Sequence, residues 1–331
     1  MNPDGTLLLT GRDIATLLTI EECMDAVEHA FKLHGERRTQ PPGIMGIHAA
    51  DGGFHIKAGL LDLDRSYFAA KINANFPGNP KRNGLPTIQG MVLLCDSENG
   101  YPLALMDSIE ITTQRTGAAT GVAAKYLART DSKTLMVCGC GNQGRISARA
   151  LSKVLPIEKV FAFDTDRTQA ERLRNDLAPE LGIRIEVTDS LETALKQSDI
   201  CVTCTPSKQS FLKEEFIAPG TFIAAVGADN PEKQELEPSI LSRNKVVADL
   251  VEQCATIGEL HHALNANLMT RDDVYAELGE VVAGIKPGRA SAEEIIVFDS
   301  TGMALQDVVT SALVYEKAKL QGAGTTIELS S

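Results

Sequence analysis

The sequence predicts an α/β chain in which a doubly wound, Rossmann-type parallel-sheet domain follows an α+β domain. Three observations carry that prediction. From Lys133 onward, short Val- and Ile-rich runs alternate with amphipathic helical segments, the pattern of a parallel sheet covered on both faces. Between the first of these runs and its helix stands the spacing Gly139-x-Gly141-x-x-Gly144. Ahead of Arg115 the pattern changes to one long helix and several strand candidates separated by Gly, Pro, Asn and Asp turns.

Taken in order, the first helix is "TIEECMDAVEHAFKLH", where Thr19 followed by Glu22 makes a capping box. The strand candidates "GFHIKAGLL", "YFAAKINANF" and "TIQGMVLLCD" come next. The small-residue run "TGAATGVAAKYL" from Thr116 reads as a helix leading into the second domain, which sets the boundary at Arg115. Beyond it the strands are "KTLMVCG", "KVFAFD", "IRIEVTD", "DICVTCT", "TFIAAVG", "NKVVADL" and "EIIVFDS", with helical "QAERLRNDL" and "SLETALKQ" between several of them. The last helix, "MALQDVVTSALVYEKAKL", follows the final strand and packs back on the first domain. The expected division is residues 1–115, completed by 305–331, and residues 116–304; no internal repeat or low-complexity tract interrupts it.

A formal charge of −12, few aromatics and the lack of any Lys/Arg-rich run argue against a nucleic-acid partner. No apolar run is long enough to span a bilayer, and the N-terminal "MNPDGTLLLTGRDIATLL" lacks a signal-peptide layout, so the expectation is a soluble, cytoplasmic protein. Seven cysteines are scattered through apolar runs, as reduced thiols in buried strands would be. Strand alternation puts Cys201 and Cys204 on opposite faces, and no second Cys/His pair stands at zinc spacing; no metal site is expected.

The glycine spacing follows a strand and opens a helix, which raises it above a chance turn. Gly139 permits the tight turn, Gly141 lets backbone approach a pyrophosphate, and Gly144 lets helix and strand pack closely. The helix N-terminus adds amide donors and a favourable dipole. Asp164 ends the next strand twenty residues beyond Gly144, where a carboxylate accepts from both ribose hydroxyls and repels a 2′-phosphate. NAD is therefore the expected cofactor; in the bland reading Asp164 and Asp166 cap turns and Arg167 opens a solvated helix.

Ligands of a doubly wound sheet sit beyond the carboxyl ends of its strands, which nominates "CTPS" with Thr205, "VGADNPEKQEL" and "FDSTG" with Ser300. Asp229 stands two residues past the predicted strand "TFIAAVG", with Lys233 four further on; it is either a proton carrier and amine holder or an ordinary Asp-Asn-Pro turn. Lys71 is a lone cation in an apolar strand, where desolvation lowers an ammonium pKa toward a value useful in acid–base chemistry; snorkelling from an edge strand is the alternative. Lys57 in "FHIKAG" carries the same ambiguity, and either lysine is suited to a substrate carboxylate.

The chain resembles the ornithine cyclodeaminase/mu-crystallin family. The likeness rests on "YFAAKINANFPGNP", "GLPTIQG", "MDSIEITTQRTGAATGVAAKYLAR", the glycine loop, "VGADNPEKQEL", "GEVVAGIKPGR" and "FDSTGMALQDV", in that order. Within the family, "GCGNQG", "GADNPEKQEL" and "FDSTGMALQDV" are most similar to the archaeal-type alanine dehydrogenase branch. The resemblance implies a homodimer built through the first domain. It puts the acid–base lysine at Lys71, the acidic residue beside the nicotinamide at Asp229, and cofactor contacts at Arg115, Thr116, Asn142, Gln143, Asp164, Thr165, Asp166, Val226, Gly227, Ala228, Lys233 and Ser300.

Cyclodeaminases of the family carry a carboxylate-binding arginine shortly after a Pro-Pro element, whereas "QPPGIMGIH" has Gly43 and no nearby arginine. Lys57, with His55, is the expected substitute. The implied activity is NAD-dependent oxidoreduction of a small 2-amino or 2-imino acid, with alanine and pyruvate plus ammonia favoured. A ketimine reductase acting on Δ1-pyrroline-2-carboxylate, an ornithine cyclodeaminase and a non-catalytic, mu-crystallin-like binding protein are the alternatives.

Overall fold

A computed structural model describes residues 5–329; the outermost residues of the expected first domain, 1–4 and 330–331, lie outside the described residues. The chain forms two compact units, one running to Arg115 and resuming at Met303, the other spanning Thr116–Gly302. In chain order the first stretch holds β1 (Thr6–Leu9), α1 (Gly11–Leu17), α2 (Ile20–Gly35), β2 (Gly43–Ala49), β3 (Gly52–Asp62), β4 (Ser66–Asn75), α3 (Asn79–Arg82), β5 (Ile88–Asp96), β6 (Pro102–Asp107) and α4 (Ser108–Leu127). The second unit continues with β7 (Thr134–Cys138), α5 (Asn142–Val154), β8 (Lys159–Phe163), α6 (Arg167–Leu181), β9 (Arg184–Val187), α7 (Leu191–Leu195), β10 (Ile200–Thr203), β11 (Lys208–Leu212), β12 (Phe222–Ala225), β13 (Gln234–Leu236), α8 (Pro238–Arg243), β14 (Lys245–Ala248), α9 (Val251–Ile257), α10 (Glu259–Asn265), β15 (Ala276–Glu277), α11 (Leu278–Val282) and β16 (Ile296–Asp299). Helix α12 (Ala304–Gln321) and strand β17 (Thr325–Ile327) return to the first unit.

In the first unit a mixed sheet runs β17-β1-β6-β5-β4-β3-β2, with antiparallel pairing from β2 through β6. Because side chains alternate, each strand of this sheet has two different faces. On the inner face Leu61, Tyr67, Ala69, Val92 and Leu94 are buried, and α12 packs against β3 and β4. Gly59 makes that approach possible, since a Cβ there would stand 3.2 Å from Leu305 Cδ2 and 3.4 Å from Ala304 Cβ. The opposite face carries the row Met45–Ile56–Ile72–Met91 across four strands, and Met45, Ile47, Phe54, Ile72 and Met91 on it are exposed.

Several elements differ from the sequence-based expectation. Thr19 and Glu22 do cap α2 reciprocally. However, α4 starts at Ser108, eight residues ahead of the small-residue run, because Asp107 Oδ1 accepts from the Glu110 amide and caps a polar, β-branched first turn that carries no helical periodicity. The last helix stops at Gln321, where Gly322 takes a left-handed φ of 63°, and β17 then pairs with β1. Strands β1, β2, β6, β11, β13, β15 and β17 were not among the candidates: β1, β11, β13, β15 and β17 have five residues or fewer, β2 is exposed on both faces, and β6 opens on Pro102.

The second unit is the doubly wound domain. Its eight-stranded sheet runs β15-β14-β16-β12-β10-β7-β8-β9, and every pair is parallel. From β7 the chain moves outward to β8 and β9, then returns to the other side of β7 with β10. That reversal opens a crevice at the carboxyl ends of β7 and β10, where Gly139 and Cys204 follow directly. Among the described residues, no helix is long and apolar enough to cross a membrane.

Candidate active site

The glycine loop is held as its spacing requires. Gly139 has φ +98°, and a Cβ there would meet Cys204 O at 2.9 Å. At Gly144 a Cβ would lie 2.1 Å from Gly139 O and 2.8 Å from Val137 Cγ1, so the close approach of helix α5 to its strand and turn requires glycine here. Nothing stands within 4 Å of a Cβ at Gly141, which leaves open space at the N-terminus of the thirteen-residue α5. Gln143 Oε1 is buried there without a partner, and Asn142 is exposed. Open space, an orphaned acceptor and free helix-terminal amides fit a dinucleotide pyrophosphate and an adjoining donor.

Asp164 follows β8 directly and takes two backbone amides, Cys140 N at 2.8 Å on Oδ2 and Asp166 N at 2.9 Å on Oδ1. It therefore braces the glycine loop, and each carboxylate oxygen retains a second lone pair for a ribose hydroxyl. Asp166 caps α6 by accepting from Thr168 N at 3.0 Å, Thr165 is exposed, and Arg167 forms exposed pairs with Glu171 and Asp189.

Strand β12 ends at Ala225, with one last ladder bond from Val226 N to Thr203 O at 2.9 Å, so in the third crevice loop Asp229 stands four residues beyond the strand rather than two. Lys233 Nζ reaches Asp229 Oδ1 at 2.7 Å and Gly227 O at 3.3 Å, which ties the two ends of the loop together. Beneath Gly227 lies the fully buried Glu235, whose Oε1 accepts from Thr205 N at 2.6 Å; a Cβ on Gly227 would strike that carboxylate at 2.3 Å. Burial raises the Glu235 carboxyl pKa. Ala228 is buried, Thr116 is buried near the start of this unit, and Ser300 donates to Asp249 Oδ2 at 3.0 Å.

In the first unit the register sets Lys57 directly opposite Lys71, and His55 opposite Asn73, all on the inner face. Past the apolar core this face turns polar. Lys71 is 3 % exposed, and β4 is an interior strand, which rules out snorkelling from an edge. Its Nζ donates to Asp307 Oδ1 at 2.8 Å and to Thr112 Oγ1 at 3.3 Å. Arg115 Nε also reaches Asp307 Oδ1, at 3.2 Å, and Arg115 Nη1 donates to Gln306 Oε1 at 3.0 Å. Desolvation, helped by the cations of Arg115 and Lys57, pushes the Lys71 ammonium down to about 7 against the pull of Asp307. Burial alone would raise Asp307; Lys71 and Arg115 outweigh it and hold the carboxyl below its ordinary range. Asn73 Oδ1, Gln114 Oε1, Gln306 Nε2 and Asp307 Oδ2 are buried without hydrogen-bond partners, polar atoms that a bound ligand would satisfy.

The structure thus gathers Lys57, Lys71 and Arg115 in the first unit, and the glycine loop, Asp164, Thr205 and the Asp229–Lys233 loop in the second. Asp307 and Gln306 were missed. A signal for Asp307 existed: an acidic residue alone in "MALQDVVTSAL" is the same anomaly that marked Lys71.

The family model for the ornithine cyclodeaminase/mu-crystallin family matches residues 5–322. The alanine dehydrogenase of Archaeoglobus fulgidus is 39% identical over 323 residues, covering 98% of this chain and 98% of its own. Among solved structures, an archaeal alanine dehydrogenase dimer with bound NAD superposes with a TM-score of 0.93 at 39% identity, over 98% of this chain and 99% of that one. The Δ1-pyrroline-2-carboxylate reductase of Thermococcus litoralis, in complex with NADH and L-proline, gives 0.92 at 34% identity, over 97% and 100%.

Proposed function

The chain belongs to the ornithine cyclodeaminase/mu-crystallin family, and from that premise we propose an NAD-dependent oxidoreductase that interconverts a small 2-amino acid and its 2-imino acid. Alanine, formed from pyruvate and ammonia, is the favoured product. The observation that carries this reading is Lys71: a buried ammonium with a pKa of about 7 can give or take a proton near neutrality.

The second unit is the NAD-binding domain, with Gly139, Gly141, Gly144, Asn142 and Gln143 at the pyrophosphate, Asp164 at the adenosine ribose, and Thr205, Val226–Ala228 and Ser300 along the crevice. When bound, the nicotinamide supplies a hydride to the imine carbon or accepts one from the amine. Lys71 gives the proton that reduction consumes and takes it back in oxidation. Asp229, held by Lys233, orients the nitrogen. Lys57, with His55 on the same strand face, pairs with the substrate carboxylate and does the work of the arginine absent after Pro42. Arg115 is engaged with Gln306 and Asp307, and its part is to tune Lys71 as well as to meet ligand.

The first unit is the substrate and dimerisation domain. Its outer sheet face, with Met45, Ile47, Phe54, Ile72 and Met91 exposed, is the surface that a second copy of this chain covers. That the archaeal alanine dehydrogenase structure is a dimer supports pairing with a second copy.

The test is NADH consumption by the purified protein with pyruvate plus ammonium and, separately, with Δ1-pyrroline-2-carboxylate. Turnover with either establishes imine reduction and ranks the substrates. Silence with both, together with no ammonia release from ornithine, would refute the proposed chemistry and leave a cofactor-binding protein. Lys71→Ala should abolish turnover while leaving NADH binding intact; unchanged turnover removes Lys71 from the mechanism.

A further inference from the structure

We propose that Asp307 is a positioning residue for Lys71, and that Asp307 and Arg115 set its protonation state in opposite directions by sharing one carboxylate oxygen. The inference rests on the reading of Lys71 as the acid–base group. Its basis is geometric. Lys71 Nζ donates to Oδ1 at 2.8 Å and Arg115 Nε approaches the same oxygen at 3.2 Å as an ion pair without hydrogen-bond alignment, while Oδ2 has no hydrogen-bond partner.

Asp307 stands in the first turn of the eighteen-residue α12, where the helix dipole favours a negative charge, and it is 1 % exposed. Burial opposes the anion, and the adjacent Lys71 and Arg115 outweigh burial and keep Asp307 ionised, so it holds Lys71 in place in turn. Gln306, the preceding residue of α12, holds Arg115 by its Nη1, so the rival cation is fixed as well.

The groups facing Lys71 are few. They are Lys57 across β3, Val92 on β5, Thr112 and Arg115 on α4, and Asp307 on α12. Three buried cations thus face one buried carboxylate. Fully paired, Lys71 would keep its proton and never release it; unpaired beside two cations, it would never hold one. Division of a single oxygen between Lys71 and Arg115 leaves it between these limits.

The test is a direct titration of Lys71 in protein carrying lysine labelled with carbon-13 at Cε, its signal assigned by disappearance in Lys71→Arg. Asp307→Asn keeps the shape and removes the charge, and should lower the Lys71 pKa by about one unit or more. Arg115→Gln removes the rival and should raise it by a similar amount. Circular dichroism and thermal melts report whether each variant folds, and if Asp307→Asn fails, Arg115→Gln carries the decision with the opposite sign.

In pH profiles of kcat/KM, the limb assigned to Lys71 should move with the titration, while the substrate's own ionisation stays put. A folded variant in which the Lys71 titration is unmoved overturns the inference. A titration that shifts as stated while no limb of the activity follows it leaves Asp307 in its role and defeats Lys71 as the acid–base group.

Discussion

Two glycines of one loop should fail in different ways when each gains a single methyl group. At Gly144 the new Cβ would sit 2.1 Å from Gly139 O and 2.8 Å from Val137 Cγ1, both parts of the strand-and-turn framework. Strand and helix must part by roughly 1 Å, which places the cost near the upper end of overpacking, about 3 kcal/mol. A thermal transition lower by roughly 6 to 12 °C is expected.

At Gly141 the Cβ meets nothing within 4 Å, and φ is an unstrained −75°. Ala is a poorer N-cap than Gly by up to about 1 kcal/mol, and the stiffer unfolded chain returns about 0.4–1 kcal/mol. Stability should therefore stay within about 0.5 kcal/mol of the parent. The methyl group nevertheless fills the space assigned to the pyrophosphate. Loss of even one charge-assisted amide contact, about 1.5–3 kcal/mol, weakens NADH at least about ten-fold. Thermal melts and NADH fluorescence titrations of both variants read the two effects separately. A Gly141→Ala protein that binds NADH as tightly as the parent would refute the placement of the phosphates, and a Gly144→Ala protein of parental stability would refute the packing argument.

Three further outcomes are expected. Lys57→Ala should raise KM for the acid substrate about ten-fold or more, the cost of one lost charged contact; an unchanged KM removes Lys57 from the site. Asp164→Asn retains an acceptor for the Cys140 amide but not the charge, so the affinity ratio of NADPH to NADH should rise by about ten-fold, and paired titrations in which the ratio holds constant would dismiss Asp164 as the discriminator. On the outer sheet face, Ile72→Glu should convert a dimer to monomer in sedimentation with little loss of thermal stability, because Ile72 is 42 % exposed in the single chain; a dimer that persists would put the interface elsewhere.

Much of the second unit could be read from local sequence. The seven strands named there all form, Gly139 stands where a positive φ is needed and Gly144 where helix and strand approach closely, and Gly141 borders open space. Asp164 is at its strand end, though bracing the loop from Cys140 is a task that spacing alone does not reveal. The first unit was harder. Strand β2 is exposed along its whole length and β17 has three residues, so neither generates the period-two contrast on which strand recognition depends. The start of α4 depends on one cap, Asp107 to Glu110, in a stretch whose composition favours no particular structure.

By itself the sequence determined the fold class, the family, the dinucleotide loop and the anomaly of a lysine inside an apolar strand. These are effects of neighbours a few residues apart, through steric freedom at glycine and the alternation of buried and exposed side chains. Tertiary structure alone decided what surrounds that lysine. Lys71 and Asp307 are separated by 236 positions, and only the return of α12 to the inner face of the sheet joins them. Register did the rest, since pairing β3 with β4 one residue out of step would turn Lys57 away from Lys71. A buried charge takes its chemistry from whatever the fold sets within a few ångströms of it, and no distance along the chain encodes that.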